Sequence, residues 1–174
     1  MAKHRCISVP EAIQRIANAP DRRLAWELFV FFSRFEYALK RDRRYLMPGS
    51  GDAQPNWDCF ASNANANFKP DSSDELRSAV DFFLEAPPRK QLRVDGAMTW
   101  SEPQAWDHRD PLLLWLLRAV RIVRNNLFHG GKFPLLLVSE PSRDRDLILS
   151  GLQILRGALA IDSEVQAQFL DGLE

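Results

Sequence analysis

The sequence predicts an all-α protein, an antiparallel up-and-down bundle of four or five main helices within one domain spanning residues 1–174. Three observations predict it. Apolar residues recur at intervals of three and four in most segments, the spacing of one helix face. The segments are separated chiefly by prolines, which interrupt a helix by removing a donor and clashing with the preceding turn. The connections are short, which sets neighbouring helices antiparallel. A chain of this length buries roughly two-thirds of its unfolded surface, enough for one core.

Each element follows in order. Ser8 and Glu11 stand at capping-box spacing with Pro10 in the first turn, predicting a short helix that ends near Pro20. From Asp21, Leu24, Leu28, Phe31, Phe35 and Leu39 share a face on a long helix, which runs out in the charged stretch Lys40–Arg44. That charged stretch reads as an exposed helix end, followed by a loop over Met47–Pro55. Trp57, Phe60, Ala61, Ala64 and Phe68 predict a third helix, closed by Pro70. Ser72 and Glu75 form a second capping-box spacing ahead of Leu76, Val80 and Phe83. After Pro87-Pro88, Leu92 and Val94 alternate up to Asp95-Gly96, the signal for a small β-hairpin inserted at about 91–100. Against it stands the marginal stability of an isolated two-stranded ribbon. Asp110-Pro111 supplies an N-cap and first helical residue for a helix to about His129, stopped by Gly130-Gly131. Beyond Pro134 and Pro141, Leu147, Ile148, Leu152, Leu155 and Leu159 mark a last long helix, with a short one over about Ser163–Leu170.

Composition narrows the function. There are 23 basic and 23 acidic residues, so the chain does not coat nucleic acid by bulk charge, although a local basic site is compatible with neutrality. Most cations are arginine, whose planar fork suits phosphates and carboxylates. Cys6 and Cys59 are far apart and show no metal-type spacing, as expected for reduced thiols. The N-terminus lacks the apolar run of a signal peptide. The most apolar helix carries Arg118, Arg121 and Arg124, which argues against a membrane span. A cytoplasmic protein, with no membrane association, is expected.

The informative segment runs from Arg121 to Lys132. Leu113, Leu116, Leu117, Val120 and Leu127 form a core-facing stripe, and Arg124 falls inside it. An unpaired charge there costs several kcal/mol, so Arg124 must either meet a carboxylate, with Glu36 as candidate, or face a cleft. Such a broken local rule often marks function. Asn125 and His129 share a face, one turn apart. Arg124 and His129 lie roughly 140° apart on an ideal helix, so they converge on one phosphate only if the helix unwinds or a second copy completes the site. Histidine titrates near neutrality and can move the proton of a ribose 2′-OH or of a leaving oxygen. An arginine fork suits the charge that develops on the phosphate. Such chemistry requires no metal or cofactor, and the sequence has no clustered ligand set.

Arg124-Asn-Asn-Leu-Phe-His129 resembles the R-x4-6-H signature of HEPN domains, in which a polar residue, here Asn125, commonly follows the arginine. Similar patterns occur at Phe31–Lys40 and at Arg143-Asp144 before the last long helix, although only Arg124–Lys132 is specific. The resemblance implies a helical homodimer with the motifs at its interface. It also implies a metal-independent endoribonuclease of toxin–antitoxin or phage-defence type, leaving a 2′,3′-cyclic phosphate. Arg124, His129 and Asn125 are then the catalytic residues, Asn126, Lys132 and Arg121 contact RNA, and Glu36 supports Arg124. An antitoxin or other defence protein is the implied partner. The alternative is an inactive HEPN module that binds RNA, a nucleotide or a protein; a third reading is a dimerisation domain in which Arg124 forms an interface ion pair.

Overall fold

The computed structural model describes residues 8–17, 22–128 and 141–173. Among them the chain is mostly helical, with one two-stranded antiparallel sheet. The helices are α1 (Val9–Ala17), α2 (Arg22–Arg41), α3 (Trp57–Ala64), α4 (Asp74–Glu85), α5 (Leu112–Phe128), α6 (Pro141–Leu159) and α7 (Ser163–Leu170). A single 3-10 turn, Asn65–Asn67, extends α3. None of the described helices is long and apolar enough to cross a membrane.

Most of the periodic positions lie in the core, but on α2 Phe32 is buried while Leu24 and Phe31 are only partly covered, as is Leu127 on α5. Leu28, Phe32, Phe35 and Leu39 of α2, Leu113, Leu116 and Val120 of α5, and Leu152, Leu155 and Leu159 of α6 join one buried cluster with residues of α3, α4 and α7. An aromatic lattice occupies its middle: Phe35 lies 5.1 Å from Trp57 and 5.3 Å from Phe60, and Phe32 stacks on Trp57 at 5.0 Å. Helix α6 packs closely on α4 because residue 157 is glycine; a Cβ there would stand 2.8 Å from Leu76 Cδ2.

Two helix starts differ in detail from the sequence reading. The cap of α4 is Ser73, not Ser72: Ser73 has extended backbone and its hydroxyl accepts from the Leu76 N–H. Helix α5 begins at Leu112, and its Leu113 N–H is capped by the Asn65 side chain at 3.0 Å rather than by Asp110. The cap comes from 48 residues away, beyond the reach of a local motif.

The hairpin is present. Strands β1 (Gln91–Val94) and β2 (Ala97–Trp100) pair with Val94 opposite Ala97, and Asp95 and Gly96 turn with φ of 49° and 82°. Two successive positive φ values are what a type I′ turn demands, and Asp-Gly supplies them. Its side chains are almost all exposed.

The turn between α6 and α7 is held by one carboxylate. Asp162 accepts from the Glu164 and Val165 N–H groups, from the Tyr45 hydroxyl at 3.1 Å and from Arg44 at 3.1 Å. Burial, and secondarily this carboxylate, push the Tyr45 phenol above its ordinary pKa. Arg44 also chelates Asp42 and holds that carboxyl below its ordinary value. The stability gained through Asp42 is therefore present near neutrality and is lost as the pH falls through the lowered value. Asp162→Ala is expected to lower the unfolding free energy by about 2 kcal/mol, combining a lost N-cap with the lost Tyr45 hydrogen bond. Urea unfolding of the two proteins measures it.

Candidate active site

The end of α5 positions the motif. Buried Val120 and Val123 fix the rotation of the helix, leaving Arg121 and Asn125 exposed and Arg124 half-buried at the flank facing α2. The Arg124 guanidinium lies over the Phe32 ring, 5.3 Å from its centroid. Its Nε is fully buried and has no hydrogen-bond partner among the described residues. One terminal nitrogen donates to the Asn125 side-chain oxygen at 3.0 Å. Among the described residues no carboxylate pairs with Arg124. Glu36, expected as its partner, instead accepts from the Trp57 indole N–H at 3.4 Å. Among the described residues the arginine is thus held by an aromatic face and an amide, with no carboxylate against its positive charge. That is the electrostatic state of an anion-binding group.

The other expected residues separate. Asn126 does not face a substrate: it is 8 % exposed and its amide donates to the Arg89 carbonyl at 2.8 Å, tying the base of the hairpin to α5. The reason is rotational, since Asn126 sits two residues from Arg124 and so on the opposite flank of the helix. Arg121 leans toward α3, with Asp58 at 3.8 Å, and Arg118 meets the same carboxylate at 2.6 Å. His129 and Lys132 lie outside the described residues, as does the Gly130-Gly131 stop.

Sequence reasoning missed three aromatic neighbours. Trp26 stacks on Phe29 at 5.3 Å, and Phe29 meets Phe128 at 4.9 Å. Trp26 is 63 % exposed and Phe128 42 %. The signal was present: Trp26, Val30 and Tyr37 are apolar yet lie on the side of α2 opposite Leu28 and Phe35.

A polar cleft of about 360 Å³ lies elsewhere, lined by Arg44, Tyr45, Asn63, Asn67, Asp162 and Glu164 among others. Its charged groups are satisfied by one another, since Arg44 reaches Asp42, Asp162 and Glu164 within 3.1 Å. Among the described residues no group of three or more His, Cys, Asp and Glu side chains is placed to hold a metal ion. No family model matches the chain, and neither a curated protein nor a solved structure matches it.

Proposed function

We propose that the protein is a metal-independent endoribonuclease of the HEPN type, acting as a homodimer in a toxin–antitoxin or phage-defence setting. The observation that carries the reading is Arg124: a half-buried guanidinium that meets no carboxylate among the described residues, oriented by Phe32 and Asn125 at the end of α5. In the mechanism, His129 acts as base or acid: one proton leaves the ribose 2′-OH and one is given to the departing 5′-oxygen, His129 carrying one of these transfers and the second copy's histidine or water the other. The 2′-oxygen attacks the phosphorus, the P–O5′ bond breaks, and a 2′,3′-cyclic phosphate and a 5′-hydroxyl result. Arg124 stabilises the charge of the phosphorane-like transition state, and Asn125 holds the guanidinium in place. The assignment of His129 rests on its sequence spacing from Arg124. Because that spacing turns the two side chains apart on a straight helix, a second copy supplies the missing half of each site.

The helical packing includes one antiparallel pair, α4 and α6, that is not consecutive in the chain. The start of α4 meets the end of α6 at Leu76 and Gly157, while Arg143 at the start of α6 donates to the Ala86 and Pro87 carbonyls at the end of α4. Those contacts set the two helices antiparallel.

Incubating purified protein with RNA in EDTA tests the proposal. Wild type is expected to cut and leave a cyclic phosphate, Arg124→Ala and His129→Ala to lose cleavage by about 10²-fold or more. Equal cleavage by all three proteins refutes the assigned residues.

A further inference from the structure

The three rings beside Arg124 are more than uncovered apolar surface. Trp26, Phe29 and Phe128 form a ladder across α2 and α5, with successive centroids 5.3 and 4.9 Å apart. Phe128 is one turn beyond Arg124 on α5, and Phe29 is three residues before Phe32, the ring beneath the Arg124 guanidinium. Ladder and guanidinium therefore share the seam between the two helices. Arg124 has no carboxylate among the described residues, whereas Arg118 and Arg121 turn toward α3 and share Asp58. Glu27, next to Trp26, is engaged by Arg156 at 2.6 Å and presents no free charge to the ladder.

Exposed aromatic rings beside a guanidinium that meets no carboxylate among the described residues match single-stranded nucleic acid, whose bases stack on rings while its phosphates meet guanidinium groups. A protein partner could cover the same rings and guanidinium, since interfaces are enriched in aromatic residues and arginine, and it is one outcome of the test below. We propose that Trp26, Phe29 and Phe128 form a stacking platform for an unpaired RNA base next to the phosphate held by Arg124. The inference rests on the ribonuclease reading and deepens it: the substrate is single-stranded at the cleavage site, because a base inside a duplex is already stacked and has no free face to offer. Trp26, at the outer end of the ladder, presents the most accessible ring.

Binding is measured by fluorescence anisotropy of a labelled single-stranded oligoribonucleotide in EDTA, using His129→Ala protein as the uncut parent. Adding Trp26→Ala or Phe128→Ala is expected to weaken binding about 10-fold or more, while Trp26→Phe keeps most of it. Binding of a duplex of equal length should change little in either variant. Light scattering and thermal melting accompany each variant. Unchanged single-strand affinity in both alanine variants overturns the platform. So does a loss of affinity that coincides with conversion of the parent's oligomer to monomer, which makes the rings a protein interface. If wild type still cuts RNA in either case, the ribonuclease reading stands and only the platform falls; if the parent binds no RNA and wild type cuts none, both fall.

Discussion

Arg124→Met should remove RNA cleavage by about 10²–10³-fold, the loss typical of one transition-state donor, and yet leave the protein as stable as before or more so. The two effects have one origin. A buried N–H without a partner costs about 1–3 kcal/mol, and Arg124 Nε is such a group. Methionine keeps the length and lays a polarizable thioether over the Phe32 ring, removing the unsatisfied donor. What is lost is the cation–π contact at 5.3 Å, worth about 0.5–1 kcal/mol at a partly exposed site, and the hydrogen bond to Asn125. The balance favours an unchanged or slightly raised unfolding free energy. Urea titration beside the cleavage assay reads both quantities. A loss of 2 kcal/mol or more would make Arg124 a structural residue and sink the argument.

Phe35→Ala is expected to have the largest effect on folding, about 3–5 kcal/mol. Phe35 is fully buried and meets Phe31, Trp57 and Phe60 within one lattice, so its removal leaves a cavity that none of these rings can fill without losing another contact. Phe35→Leu, which retains much of the volume, should lose far less. The damage should reach the site as well. Phe32 is positioned by its stack on Trp57, and Trp57 by Phe35, so the ring beneath Arg124 loses its support two contacts away. Near-ultraviolet circular dichroism should weaken together with the urea midpoint. A drop below 1 kcal/mol would mean that the lattice does not carry the core.

Periodicity and turn chemistry made most elements legible in the sequence. The Leu28–Leu39 face, the Asp95-Gly96 turn and the short Ser163–Leu170 helix are all local patterns, set by residues a few positions apart. What the sequence hid is tertiary. The cap on Leu113 comes from Asn65, and Asn126 binds the Arg89 carbonyl across 37 residues. The site was legible only as an anomaly, an arginine inside an apolar stripe. Which group it meets depends on the rotation of α2 against α5, and this brought Phe32 rather than Glu36 to the guanidinium. A polar residue next to a motif looks like a substrate contact in sequence, whereas the helical rotation of Asn126 turned it inward.

The hairpin buries almost nothing, and at its base the Asn126 side chain of the motif helix grips the Arg89 carbonyl. The tip at Asp95-Gly96 is accordingly a tolerant address for a fluorophore or an epitope. A reporter placed there sits on an arm whose anchor is two residues from Arg124, so it can register events at the end of α5.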